Sequence, residues 1–344
     1  ARSALGYDPT TIPAQETALK RMGLLPAGAD LASLLDQLYG QPLPIAYLEQ
    51  QGNLSVLSSI DKLNVAQQGL AAREFGRADV DQSFSLAGSR RGDIGDASLA
   101  ELALEQGDGT SVMLDWSKAN VSGGNQAKVD AVIVPGKDSI FASMPLLLQR
   151  EYSFPYLEGR VFVKKIRSEG GWNRVNEVWG NPPESTEQIM HPKKYPGDRP
   201  TSIALDGVVA ALGGGWSEDW QQTMGQLRTG VWLADGKPGT QDSPAAAVKL
   251  PKANAAAGWG GDTLLSLNGP DGTWAMVWQS KWDNADDVGQ FTAAATQAMA
   301  DLPGAHVALA AADVSGGLSN PALVLMTSDA DTLAAIQAAL GVGG

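Results

Sequence analysis

The stretch from Gln68 to Asp115 constrains the fold most, because it reads as two consecutive helices around which the rest of the chain has to be placed. The first carries Arg73-Glu74-Phe75-Gly76-Arg77, and the second, opened by Asp96 or Ser98, carries Glu105-Gln106-Gly107-Asp108. Positions 73 and 77 are four residues apart on one helical face. That is the spacing at which two histidines of an HExxH helix hold zinc while the glutamate between them activates water. Here both positions are arginine. A guanidinium has five donors and no lone pair and stays protonated, so it repels a dication instead of ligating it. An ordinary solvated helix face offers the plainer alternative, with Glu74 and Arg77 as a surface pair worth a few tenths of a kcal/mol, roughly.

The surrounding sequence favours the first reading. AREFGRADVDQSFSL followed by LALEQGDGTSVML resembles, at matching distances, the HELTHALQDQHFDL-type and ALVEGDATLVM-type helices of an exported bacterial zincin-like metallopeptidase family. AYLEQQGNLSV resembles that family's hairpin before the metal helix. FPYLEGRVFVKKIRSEGGWNRVNEVWGNPPESTEQIMHPKKYPGDRP resembles its GGW…PPxSTEQILHPxKY block. The resemblance implies that Arg73 and Arg77 stand at the zinc histidines, Gln106 at the third ligand and Glu74 at the general base. An amide is a poor zinc ligand, and without a metal the water beside Glu74 keeps a pKa far from neutral. The cleft is therefore expected to be vestigial and metal-free, with Arg73, Glu74, Arg77, Gln106 and Asp108 around it, no cofactor and no catalytic residue. Two arginines replace the charge of the lost ion and could keep Glu74 and Asp108 paired. Glu74 and Glu105 make a poor acid–base pair, because neighbouring guanidiniums would hold both as anions.

Composition narrows the classes. The chain has 344 residues, 43% hydrophobic and 18% charged, and a formal net charge of −13. That size suits about two domains. The charge argues against nucleic acid or an anionic membrane as partner. Cysteine is absent, which removes thiolate metal sites, disulfides and cysteine nucleophiles, and the two histidines, His191 and His306, are far apart. No apolar run is long enough to span a bilayer. The resemblance implies an extracytoplasmic protein, secreted or at the cell surface, with its signal or anchor removed.

Along the chain, residues 1–11 read as a lead-in, Ile12–Met22 and Ala29–Tyr39 as helices with Asp30 as N-cap, and Leu43–Leu57 as a β-hairpin. In such a family the hairpin edge lines the cleft and pairs with a peptide, so it is the expected binding edge. Arg90-Arg91, beside Asp93 and Asp96, reads as a solvated turn. Helices are expected from Pro145, over Val161–Glu169 and over Trp172–Gly180, with Ser185 or Thr186 as the next cap. Glu187 and His191 lie one turn apart. They could face the cleft, with His191 donating to an oxyanion, or form a structural pair holding a loop over the central helices. The second role is favoured.

The expected organisation is α+β: a helix-rich zincin-like body with a hairpin edge over 1–233, a linker over 234–257, and a small ββαββα domain over 258–344, its helices on one face of the sheet. Trp274 and Trp278 share a strand face, which is read as core in preference to a sugar platform. Three functions follow as expectations. The first is a catalytically inactive metallopeptidase homologue that binds a protein or peptide segment or serves as a structural part. The second is a hydrolase working through Glu74, Glu187 and His191. The third is a subunit of a surface lattice or larger complex.

Overall fold

Capping chemistry sets the first helix boundaries. The computed structural model describes residues 10–40, 43–86, 95–133, 140–234, 253–300, 302 and 304–342. The expected lead-in up to residue 9, the Arg90-Arg91 turn and most of the 234–257 linker lie outside the described residues. Helix α1 (Ile12–Arg21) stops before Gly23, whose φ is 73°. Asp30 caps α2 (Leu31–Tyr39) by accepting the Ser33 N–H at 2.9 Å. The hairpin pairs β1 (Ile45–Leu48) with β2 (Asn53–Val56) across a short turn that needs Gly52 at φ 62°. A capping box opens α3 (Val65–Phe84): Asn64 Oδ1 accepts the Gln67 N–H and Gln67 Oε1 accepts the Asn64 N–H.

Three long helices then pack through glycine. They are α3, α4 (Asp96–Asn120) and α6 (Leu146–Trp179), with the short α5 (Gly123–Asp130) between the last two. A Cβ on Gly107 of α4 would lie 2.3 Å from the carbonyl of Gly159 on α6, and one on Gly76 of α3 would lie 2.9 Å from Val112 on α4. These near contacts bring the backbones close and set Arg73 and Arg77 at the α3/α4 seam. One expectation fails here. The Phe154-Pro155 run does not separate two helices, because α6 continues through Pro155, where burial of Phe154 and Pro155 outweighs the missing N–H. The helix does break at Gly170-Gly171, with Gly171 at φ 69°.

Ser185 accepts the Gln188 N–H and starts α7 (Thr186–Met190), and α8 (Asp206–Leu212) follows. Five strands form one antiparallel sheet in the order β3-β4-β5-β7-β6: β3 (Ser217–Gln222), β4 (Trp259–Asn268), β5 (Trp274–Trp282), β6 (His306–Ala310) and β7 (Pro321–Thr327). Helix α9 (Gly225–Leu233) links β3 to the rest, α10 (Ala285–Ala300) follows β5, and α11 (Ala330–Leu340) closes the chain. The architecture is α+β, and the ββαββα order after residue 258 is present.

The helices do not share one face of the sheet. Ala322, Val324 and Met326 of β7 pack with Phe291, Ala295 and Met299 of α10, whereas Leu323 and Leu325 pack with Ile336 of α11 and Val208 of α8. Alternate residues of a strand point to opposite faces, so a run apolar at every position has to be covered twice. The α10 face shares its core with α1, α2, α9 and the start of α6, so the sheet is built into the body rather than set beside it. Trp278 and Trp282 are buried there, and rings run from Trp232 through Trp278 and Phe291 to Trp282 with centroids 4.5–5.7 Å apart. β3 comes from upstream of the stretch expected to be linker.

Candidate functional site

Glu74 is fully buried at the α3/α4 seam. Both of its oxygens are engaged. Arg73 Nε and Nη2 lie 2.9 Å from Oε1, while Arg77 Nη1, at 2.7 Å, and the Tyr47 N–H, at 2.8 Å, donate to Oε2. Arg77 reaches further. Its Nε and Nη2 lie 2.7 Å from Oε1 of Glu105 on α4, and Nη2 donates at 2.6 Å to Glu49 in the hairpin turn. One guanidinium is thus shared by three carboxylates from three elements. Gly109 permits this, since a Cβ there would lie 3.0 Å from the Arg77 side chain and from the Arg73 carbonyl. Arg73, itself buried, also places its guanidinium carbon 5.3 Å from the ring centre of Tyr156, a cation–π contact. Burial by itself would lower the Arg77 pKa. The charges of Glu105 and Glu74, with the Glu105 hydrogen bond, outweigh it and raise the pKa, so the side chain is a fixed cation.

The hairpin is stitched to α3 by the same groups. Besides the Glu49–Arg77 and Tyr47–Glu74 links, the Tyr47 hydroxyl donates to Asp81 at 2.7 Å. The Tyr47 N–H is on the outward edge of β1, where an extended peptide would pair, and Glu74 already takes it. Among the described residues, the hairpin's other strand, β2, pairs only with β1.

Two expected members of the cleft stand apart from the arginines. Gln106 is buried, but no hydrogen bond among the described residues joins it to Arg73 or Arg77, and its Oε1 has no partner. Glu105, one residue earlier, takes the place against Arg77. Asp108, expected to pair with the arginines, accepts instead from Trp179 Nε1 at 3.1 Å. Each residue step along a helix rotates the side chain by about 100°, so with Glu105 facing Arg77, Gln106 is turned away. Burial raises the Asp108 pKa to about 6, the Trp179 hydrogen bond opposing it.

Glu187 and His191 form a separate group. The His191 N–H closes α7 onto the Glu187 carbonyl at 2.7 Å, but their side chains part. Glu187 accepts from Lys194 at 2.8 Å, and His191 Nε2 meets the Gln226 amide nitrogen at 2.9 Å. Lys194 Nζ is also 2.9 Å from Asp198 and 2.6 Å from Asp283. The three carboxylates converge within 4.8 Å of one another, a spacing that would suit a cation, and the ammonium fills the position between them. Burial raises the Glu187 pKa to about 7, with Lys194 opposing. Burial, with the charge of Lys194, lowers that of His191. Among the described residues, neither Glu187 nor His191 bonds to Glu74; Glu187 is held by Lys194 and His191 by Gln226.

A third buried charge group lies where α4, α7, α9 and β4 meet. Asp262 receives the Met224 and Gly225 N–H groups, each at 2.9 Å, and the indole N–H groups of Trp259 at 2.7 Å and Trp278 at 2.9 Å. Asp96, one of the two residues expected to open the second helix, is its first residue, is buried, and accepts the Thr186 N–H and hydroxyl. Its desolvation raises the pKa to about 7 despite those two bonds. Gly225 separates the two acids, since a Cβ there would overlap the Asp96 carboxylate. Glu49, Tyr47 and the Lys194–Asp283 pair escaped sequence reading because tertiary packing joins residues far apart in the chain.

Residues 216–339 match the family model of a domain of unknown function (DUF8575). The matched span begins one residue before β3 and ends inside α11, so it takes in all five strands of the sheet. No curated protein and no solved structure matches the chain.

Proposed function

We propose that this chain is a catalytically inactive homologue of the zincin-like metallopeptidases, acting outside the cytoplasm as a binding or structural protein. The carrying observation is Arg77, one guanidinium bonded at once to Glu74, Glu105 and Glu49. In the place that the resemblance assigns to a metal there is a permanent organic cation held by three carboxylates, with no lone pair to offer. Glu74 has both oxygens occupied and no free one with which to take a proton from water. The role left to such a frame is recognition or assembly. Its partner is a protein or peptide segment, and pairing through the hairpin would use the β2 edge, because Glu74 blocks β1. The extracytoplasmic setting rests on the resemblance alone. No helix among the described residues is long and apolar enough to cross a membrane.

The test is the double substitution Arg73→His and Arg77→His, which leaves Glu105, 2.7 Å from Arg77, in place as the third ligand, followed by isothermal titration with zinc and circular dichroism to verify the fold. A folded variant that binds one zinc ion, where the parent binds none, is the expected result. A folded variant without zinc affinity would remove the homology from the proposal, and zinc-dependent peptide hydrolysis by the parent would remove the inactivity.

A further inference from the structure

Beyond the Gly107/Gly159 contact, the outer faces of α4 and α6 enclose a groove of about 530 Å³ lined by Ser111, Leu114, Lys118, Arg160, Val161 and Lys164, with Asp115 and Arg167 at its end. Its charge is opposite to that of the molecule. Four cations meet one carboxylate here, in a chain whose formal net charge is −13. The single acid is already engaged, Asp115 accepting from Arg167 at 2.6 Å, and Arg167 also stacks 4.2 Å over Trp172. Among the described residues, Lys118, Arg160 and Lys164 make no ion pair. Between the cations the lining is apolar, and Val161 leaves 54% of its surface in water.

We propose that this groove docks an acidic segment of a partner protein that carries leucine-like side chains between its carboxylates. Charge complementarity selects the sign of the partner, and unpaired cations on both walls give an incoming carboxylate a partner without breaking an existing bond. Leu114 and Val161 select an apolar side chain, which a phosphate backbone or a lipid headgroup layer does not supply at that position. The field of the rest of the chain also repels an extended polyanion, whereas a short segment feels mainly the local cations, since exposed charges are screened beyond about 8–10 Å at physiological salt. The close backbone contact at Gly107 and Gly159 fixes the groove walls in advance, so little ordering is needed on binding.

The test is fluorescence anisotropy with a fluorescein-labelled peptide of glutamate and leucine, ELEELE, against the whole chain. Saturable binding is expected, weakened about tenfold or more by the double substitution Arg160→Glu and Lys164→Glu. Lys118→Glu with Lys164→Glu is the second variant, changing only exposed side chains, so a folding defect in the first does not blunt the test. Absence of saturable binding, or binding that both folded variants leave unchanged, would overturn the proposal. So would tighter charge-dependent binding of phosphatidylserine vesicles or polyphosphate, or a homodimer broken by the same substitutions, each of which assigns the groove to another occupant. None of these outcomes bears on the arginine network.

Discussion

A fully buried carboxylate with two guanidiniums on it cannot lose one partner cheaply, because the group left behind keeps its charge and has no water to solvate it. Glu74→Ala would leave Arg73 and Arg77 facing each other at the α3/α4 seam. It is expected to cost about 3–5 kcal/mol in urea unfolding, and a loss no larger than that of an exposed pair would contradict the network described. Asp96 gives a prediction of the other kind. Its folded pKa, about 7, is raised above that of an unfolded aspartate by burial, and Glu187 behaves alike. A raised acid binds its proton more tightly in the folded state, so its contribution is fully present below the unfolded pKa, about 4, and is lost as pH rises through about 7. Stability measured by denaturant should therefore fall between about pH 4.5 and 7.5, and Asp96→Asn should flatten that fall; a parent profile rising with pH would contradict it. At this scale the sequence carried Arg73, Glu74 and Arg77 through their spacing. It could not carry Glu49, which no period connects to Arg77, nor the long-range Lys194–Asp283 pair, and it misplaced Asp108, whose side chain meets Trp179.

The helices meet through residues without side chains, and that makes their glycines unequal. Gly159→Ala would set a Cβ 2.0 Å from the Ala103 carbonyl oxygen, so α4 and α6 would have to separate. The expected loss is about 3 kcal/mol or more, as for a severely overpacked core. Gly289, inside α10, meets nothing within 4 Å, and Gly289→Ala is expected to stabilise by about 0.5–1 kcal/mol. Thermal melts of the two variants should move in opposite directions, and equal shifts would refute the tight crossing. Most elements were legible from caps, periodicity and glycine stops, including α2, the hairpin and the β4/β5 pair. The strand β3 was not, because SEDWQQ is an edge strand with a single apolar residue and so no apolar alternation. Pro155 misled for a related reason, its cost being offset by packing that only the assembled α6 displays.

Across the whole molecule, one apolar core runs from α1 and α2 through α9 to the α10 face of the sheet, and Asp262 ties β4 to the start of α9. Such continuity predicts a single calorimetric unfolding transition for the full chain, and independent melting of the region after residue 258 would contradict it. The alternation of β7 shows why two-sided coverage was missed. A strand apolar at every position is consistent with either arrangement until its partners are known. The central claim concerns what stands in the seat of a metal, and the protein's own zinc content tests it most directly. After equilibration with zinc and exhaustive dialysis, elemental analysis of the unmodified chain should find no stoichiometric zinc. One tightly held equivalent, released together with peptidase activity by a chelator, would show that Arg77 does not occupy the place this account gives it.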